Sequence, residues 1–158
     1  MKNPIYRLPV TVEASSIDIL GHVNNREYMR WMEEAATLHA ASRGQTFEAL
    51  KASGCAWVVR QHWIEYLKPA LLGDKLDVYT WVQTIRRISS LRRYAIMRQG
   101  ELLTVGATEW VFVDYVRRRP MAVPPNVQEA FQLLPPEAPE LQEMGISRMV
   151  RFAPSVGL

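Results

Sequence analysis

The spacing of apolar residues changes several times along the chain, and each change predicts a new element. Residues 7–14 alternate between apolar and polar positions, as in a strand with one buried face. From Asn25 the apolar residues recur at helical spacing up to Gly44, which predicts one long, largely buried helix. A shorter helical pattern follows over residues 47–53.

Four strand patterns follow the two helices. β-branched and aromatic residues fill positions 55–67, and further strand patterns cover residues 75–85, 91–98 and 101–114. Glycine turns separate some neighbouring strands, including a predicted hairpin at Gln99-Gly100. This order predicts an α+β fold in which a five-stranded, largely antiparallel sheet wraps around one long central helix.

The composition shifts after Pro120. Pro124-Pro125 predicts the start of a short helix that runs to Leu134, and Pro135-Pro136 ends it. A chain of 158 residues suits a single domain. We therefore predict one domain over residues 1–134 and a C-terminal arm or tail over residues 135–158.

Composition also restricts the compartment and the class of site. A single cysteine, Cys55, excludes an internal disulfide framework and fits a reducing compartment. The first residues lack the apolar core of a signal peptide, and no apolar run reaches transmembrane length. These features predict a cytoplasmic protein that does not enter a membrane. His39 and His62 have no neighbouring ligands at metal-binding spacing, so we expect no metal.

The net charge of +3 is unevenly spread, because several arginine clusters lie in the second half of the chain. Guanidinium groups form bidentate bonds with phosphates, so these clusters suit a nucleic acid or a cofactor such as coenzyme A. A solvated sheet face is the alternative interpretation. The chain has no aromatic and basic recognition motif, and we expect no nucleic-acid partner.

The candidate chemistry lies immediately before the long helix, where Asp18, Gly21, His22, Asn24 and Asn25 are close in sequence. Asparagine caps helices well, and the first backbone N–H groups of a helix favour negative charge. A carboxylate just upstream can act on a carbonyl whose oxygen points at the helix start. The alternative is that these residues only turn and cap the chain.

This stretch resembles a family signature, and over residues 18–28 it reads DILGHVNNREY. It is similar to the signature of hotdog-fold acyl-CoA thioesterases of the 4-hydroxybenzoyl-CoA thioesterase superfamily, in the short bacterial branch. Residues 64–76 and 110–124 resemble later parts of the same family in the expected order. The resemblance implies a hotdog fold and a homodimer with active sites between subunits, often assembled further as a dimer of dimers.

The resemblance also implies hydrolysis of an acyl-CoA to a free acid and CoA, with no cofactor because the CoA thioester is the substrate. Asp18 occupies the position of the catalytic carboxylate, as general base or nucleophile. The backbone N–H of Asn25 is the expected oxyanion donor, and Gly21 permits the tight backbone path between them. His22 either positions Asp18 or water, or is structural.

The remaining candidates concern substrate binding. Asn24 caps the helix or orients water, and Tyr28 belongs to the helix face or to the wall of the acyl pocket. The resemblance implies that the nucleotide lies near the turn between two long strands. The candidate phosphate contacts there and after the last strand are Arg87, Ser89, Ser90 and Arg118.

Several alternatives stay open from the sequence. Some hotdog thioesterases carry the acid on the central helix, but Glu33 lies about 12 Å along the axis from Asn25 and cannot serve the same helix end. A hotdog dehydratase, a non-enzymatic acyl-thioester binding protein and an acyl carrier protein thioesterase are the rival functions. The chain contains neither a Gly-x-Ser-x-Gly elbow nor a P-loop.

Overall fold

The computed structural model describes residues 3–146 and residue 148. The predicted order of one strand, a long helix, a short helix and four strands is present. The elements are β1 (Tyr6–Thr11), a 3₁₀ turn (Ala14–Ser16), α1 (Asn25–Ser42), α2 (Phe47–Ala52), β2 (Cys55–Tyr66), β3 (Lys75–Ile85), β4 (Ser89–Arg98), β5 (Glu101–Asp114), β6 (Arg119–Pro120), α3 (Pro125–Gln128) and α4 (Pro139–Glu143).

One curled sheet contains all the described strands, in the order β1-β3-β4-β5-β2, and each of these neighbouring pairs is antiparallel. The two-residue strand β6, which the periodicity did not predict, pairs with the end of β5. The 12-residue strand β2 forms one edge of the sheet, because its only partner among the described strands is β5. The predicted α+β architecture of a sheet around one long helix is confirmed.

Helix α1 packs its apolar stripe against the concave face of the sheet. The stripe meets inward-facing residues of β3, β4 and β5 in one core cluster. Complete burial of a large apolar side chain contributes about 1.5–3 kcal/mol, so this contact dominates the packing of the helix. The buried residues of α1 are Tyr28, Trp31, Met32, Ala35, Ala36 and His39.

Strand β5 approaches α1 most closely at Gly106. A Cβ atom built at Gly106 lies 2.9 Å from Met32 Sδ and 3.3 Å from the Trp63 carbonyl oxygen. Thr104 and Thr108 flank this glycine on the same face of the strand, and both are buried. Small residues on this face of β5 therefore make room for the helix.

The C-terminal arm covers the outer face of the sheet. Ala138, Leu141 and Ile146 of the arm, together with Leu134 just before it, pack with a cluster of β3 and β4 side chains that includes Trp81. Strands β3 and β4 are consequently buried on both faces. The arm predicted from residue 135 thus lies on the sheet as far as residue 146, and residues 147 and 149–158 lie outside the described part of the chain.

Some predicted boundaries are wrong, and tertiary contacts explain them. The helix predicted from Pro124 to Leu134 ends at Gln128, because the following chain turns back and the Leu134 N–H donates to the Val82 carbonyl at 2.9 Å. The first strand ends at Thr11, and the 3₁₀ turn Ala14–Ser16 then redirects the chain toward α1. Among the described residues, no helix has the length and apolarity needed to cross a membrane.

Substitution of Gly106 by alanine is expected to lower the free energy of unfolding by about 1–3 kcal/mol, because the added methyl group overpacks the contact with Met32. Urea denaturation of the wild type and the variant measures this change. Shortening the partner by Met32→Val is expected to reduce the cost of Gly106→Ala in a double-mutant cycle. Equal costs in both backgrounds would contradict the proposed close contact.

Candidate active site

Asp18 lies in a tight loop that the backbone closes on itself. An isolated antiparallel bridge joins Ile17 to Val23, and the Asp18 N–H donates to the His22 carbonyl at 2.7 Å. The Gly21 N–H donates a hydrogen bond to the Asp18 carbonyl at 3.0 Å, and Gly21 has a φ of +80°. Only glycine adopts this conformation readily, which agrees with the predicted role of Gly21 in the backbone path.

The loop holds one oxygen of the Asp18 carboxylate and leaves the other open. Oδ1 accepts hydrogen bonds from the backbone N–H groups of Leu20 at 2.9 Å and His22 at 3.2 Å. Among the described residues, Oδ2 accepts no hydrogen bond, and the side chain is half-buried. The carboxylate is therefore oriented by the backbone and has one oxygen available to a water molecule or a carbonyl carbon.

The start of α1 is fixed to the chain that precedes the loop. Asn24 is the N-cap: its Oδ1 accepts from the Arg26 N–H at 3.0 Å, and its own N–H donates to the Ser16 carbonyl at 2.8 Å. The Ser16 hydroxyl donates to Glu27 Oε1 at 2.6 Å. The bond from Arg30 and then the bond from Ser16 lower the pKa of Glu27. The capping role predicted for Asn24 is confirmed.

Asn25 is the first residue of α1 and its side chain is exposed. Its backbone N–H makes no hydrogen bond within the described chain, as expected for the first turn of a helix. The open N–H groups and the helix dipole favour a negative charge at this position. The Asp18 loop and this helix end are separated by only Val23 and the cap residue.

His22 and Tyr28 contact the protein in different ways. The His22 side chain is exposed, and its backbone N–H, not its imidazole, binds the Asp18 carboxylate. Tyr28 is buried, and its hydroxyl accepts from the Ala70 N–H at 2.9 Å. Burial raises the pKa of Tyr28, whose ring packs edge-on against Tyr66. Tyr28 thus anchors the first turn of α1 to the segment that follows β2.

A second acid and histidine meet between α1 and β2, a pairing that the sequence did not predict. Glu33 Oε1 lies 3.6 Å from His62 Nε2, and His62 Nδ1 lies 2.8 Å from the Thr108 hydroxyl. Burial lowers the pKa of His62, while the Glu33 carboxylate acts in the opposite direction. About half of the Glu33 side chain is exposed, with a relative accessibility of 52%.

The predicted phosphate contacts differ in exposure. Arg87 is exposed in the turn between β3 and β4, and Arg118 is exposed after β5 with a φ of +55°. The prediction that Ser89 and Ser90 lie in the turn is wrong. They are the first two residues of β4, and both are buried. The Arg87 carbonyl accepts from the Val123 N–H at 2.8 Å, so the turn lies against the chain that follows β6.

One subunit does not bring these candidates together. Val12 pairs with Asp74 beside the start of β3, which places the Asp18 loop at that end of the sheet. Arg87 follows the end of the same 11-residue strand. At about 3.3 Å per residue, the length of β3 separates the two groups by roughly 33 Å. Asp18, Asn24 and Asn25 therefore form one group, and Arg87 and Arg118 form another at the opposite end.

Comparison with known proteins assigns the family. The model of the thioesterase-like superfamily matches residues 12–131, which include both groups. The chain belongs to this superfamily. This match confirms the resemblance drawn from the stretch around Asp18, and this superfamily member is a thioester hydrolase.

Individual relatives agree with this assignment. The chain is 29% identical over 133 residues to the acyl-CoA thioester hydrolase YbgC of Escherichia coli O6:H1, covering 84% of this chain and 99% of YbgC. It is 24% identical over 125 residues to the long-chain acyl-CoA thioesterase FadM of E. coli K12, covering 78% and 94%.

A solved structure shows the same fold. The 1,4-dihydroxy-2-naphthoyl-CoA thioesterase from Synechocystis superposes with a TM-score of 0.74 at 20% identity, covering 80% of this chain and 94% of that enzyme. The predicted hotdog fold is thereby confirmed.

A buried polar pair, His39 of α1 and Arg92 of β4, was not identified from the sequence. His39 is 2% exposed, stacks on Tyr6 and meets the edge of Phe131. Its Nδ1 accepts from Arg92 Nη1 at 2.9 Å. Burial, and then the cations of Arg92 and Arg43, lower the pKa of His39 to about 3. His39 is thus a neutral imidazole inside the protein.

The pKa of His39 predicts a loss of stability in acid. Between pH 6.5 and about 3 the unfolded chain binds a proton at this residue that the folded protein excludes, so the free energy of unfolding falls as the pH decreases. At pH 5 the loss is about 2 kcal/mol relative to pH 7.5. His39→Gln is expected to flatten this pH dependence in urea denaturation experiments.

The matched control is the same substitution at the exposed His22. His62, whose pKa is also lowered, contributes to the wild-type curve, so the measured quantity is the difference between wild type and His39→Gln. If the unfolding free energy of His39→Gln falls between pH 7.5 and pH 5 by as much as that of the wild type, His39 is not the neutral buried imidazole described above.

Proposed function

We propose that this thioesterase hydrolyses an acyl-CoA to a free acid and CoA, and that Asp18 is the catalytic carboxylate. The names of the relatives YbgC and FadM support the substrate class. One observation supports the site: the loop holds Asp18 Oδ1 through two backbone N–H groups and leaves Oδ2 without a hydrogen bond to the described residues, a few residues before the first turn of α1.

In the general-base route, Asp18 Oδ2 takes a proton from a water molecule whose oxygen attacks the thioester carbonyl carbon. The resulting oxyanion accepts a hydrogen bond from the Asn25 N–H, an interaction that typically contributes about 2.7–4 kcal/mol. Collapse of this intermediate breaks the C–S bond, and the CoA thiolate leaves and takes up a proton. In the nucleophilic route, Asp18 itself forms the new C–O bond to the acyl carbon, the C–S bond breaks and the CoA thiolate leaves and takes up a proton, and water then hydrolyses the mixed anhydride to the free acid and the Asp18 carboxylate.

We propose further that a second subunit completes the site. A two-fold contact places identical surfaces against each other, so two β2 edges that pair this way run antiparallel. Tyr66, at one end of β2, contacts Tyr28 near the start of α1, and Cys55, at the other end, lies beside the end of β5. The antiparallel contact therefore brings the Asp18 end of one subunit toward the Arg87 end of its partner.

Asp18→Asn is expected to lower kcat/KM for acyl-CoA hydrolysis by at least about a hundredfold, because the amide neither accepts the proton nor attacks the carbonyl. Release of free thiol from a panel of short, long and aromatic acyl-CoAs measures the rates. The matched control is Glu33→Gln, the same loss of charge on the helix acid, which is expected to retain most of the activity.

Two results would overturn the assignment of Asp18: an Asn variant as active as the wild type, or a larger loss in Glu33→Gln. Asn25→Ala is expected to cost much less than Asp18→Asn, since the oxyanion donor is the backbone N–H. Single turnover in heavy-oxygen water distinguishes the two routes, because only the nucleophilic route transfers the label to Asp18.

The shared site predicts complementation between two variants that are each impaired at low substrate concentration. Arg87→Gln is expected to raise KM for acyl-CoA by removing a phosphate contact. In a heterodimer of Asp18→Asn and Arg87→Gln subunits, one site carries both defects and the other carries neither. An equimolar mixture refolded together is therefore expected to regain about a quarter of wild-type activity at low substrate concentration, because half the dimers are mixed and each has one intact site.

The control is the double variant Asp18→Asn and Arg87→Gln mixed with wild type under the same conditions. Its heterodimers contain one defect in each site, so a shared site predicts only the quarter of wild-type activity that the wild-type homodimers supply, whereas sites within one subunit predict about half. If the first mixture has only the residual activity of its separate variants, the two residues act within one subunit.

A further inference from the structure

A cavity of about 330 Å³ lies between the second half of α1 and the sheet. Its walls are mainly apolar and come from α1, α2, four strands and Phe131, and the polar lining residues include Glu48 and Ser90. At a rise of about 1.5 Å per residue, its wall residue Ala40 lies roughly 22 Å along α1 from Asn25. Within one subunit the cavity is therefore separate from the Asp18 loop, and it lies at the Arg87 end, which the proposed dimer brings toward the partner's Asp18. Its apolar wall includes Ala36, Ala40, Phe47, Trp57, Val82 and Phe131.

A buried guanidinium group lines this apolar cavity. Arg92 is 6% exposed, and Nη1 donates to His39 Nδ1 at 2.9 Å and to the Thr80 hydroxyl at 3.0 Å. The guanidinium also lies 5.5 Å from the centre of the Phe131 ring. Within the described chain these partners are uncharged, and no carboxylate forms an ion pair with Arg92.

The charge of Arg92 persists despite its burial. Desolvation lowers its pKa to about 10, so the group stays protonated at neutral pH. Nε and Nη2 donate no hydrogen bond to the described protein groups. A buried charge normally has a counter-charge, because desolvation without one is costly. The cavity thus presents a cation with unused donors at an apolar wall.

We propose that this cavity binds a carboxylic acid as its anion, with the carboxylate on Arg92 and an apolar body against the wall. A carboxylate accepts the two parallel hydrogen bonds that a guanidinium offers and matches its single charge. A doubly charged phosphate exceeds the charge of this one cation and has no apolar body for the wall. The inference goes beyond the proposed hydrolysis and needs no turnover for its test.

Isothermal titration calorimetry of the full chain with sodium octanoate tests the proposal. Octanamide is the matched neutral probe, and octylammonium carries the opposite charge. Octanoate is expected to bind about 10- to 100-fold more tightly than octanamide, which corresponds to about 1.4–2.8 kcal/mol. Octylammonium and inorganic phosphate are expected to show no saturable binding.

Substitutions at two residues, Arg92 and Ala40, separate the effect of the charge from that of the cavity volume. Arg92→Gln is expected to remove the preference for octanoate over octanamide, and Arg92→Lys to restore part of it. Ala40→Leu fills the cavity without changing Arg92 and is expected to weaken both probes. Arg7→Gln, at an exposed arginine, is the control for a general loss of positive charge. Asp18→Asn is expected to bind octanoate as the wild type does.

Equal affinity of the wild type for octanoate and octanamide, or no binding of octanoate, would overturn the proposal. Survival of the preference in a folded Arg92→Gln protein would do the same. If that variant does not fold, the wild-type probe series and Ala40→Leu still decide the outcome. Loss of octanoate binding in Asp18→Asn would show that octanoate binds at the proposed active site and would overturn the proposal. None of these binding measurements requires acyl-CoA turnover, so they test the cavity even if the proposed hydrolysis is wrong.

Discussion

Burial of the apolar stripe of α1 against the concave sheet is the contact on which the rest of the structure depends. It needs a close approach at Gly106, where Met32 occupies the space that a side chain would take. With the helix held there, its first turn fixes the Asp18 loop through Asn24 and Ser16. Its second half covers the cavity beside Arg92. One packing contact thus positions two chemically different regions at opposite ends of one helix.

Elements with strong periodicity were predictable from the sequence. The bounds of β3 and β5 agree with the structure, and α1 begins at the predicted residue, because alternation and helical spacing report directly on one buried face. The segment after Pro124 was less predictable, since its path depends on a hydrogen bond from Leu134 to a strand far back in sequence. One feature of the sequence indicates where this segment packs: β3 carries the large residues Tyr79 and Trp81 on its second face, as expected for a strand that is covered on both sides.

The candidate site likewise has parts that the sequence predicts and parts that only the fold reveals. The Asp18 loop and the Asn24 cap are local features, so a short motif contains all the residues that build them. The separation of Arg87 from Asp18 follows from strand order, which no local pattern reveals. The pairing of His39 with Arg92 joins residues 53 positions apart. An arginine inside an alternating strand resembles an ordinary exposed position until the fold shows which face is covered.

The C-terminal arm determines which surfaces the subunit offers to others. Leu141 and Ile146 occupy the outer face of β3 and β4 around Trp81. Another molecule can contact this face only if the arm is first displaced. The arm therefore shields an apolar face of the sheet from solvent and from other molecules. A chain shortened before Leu141 would expose that face to self-association.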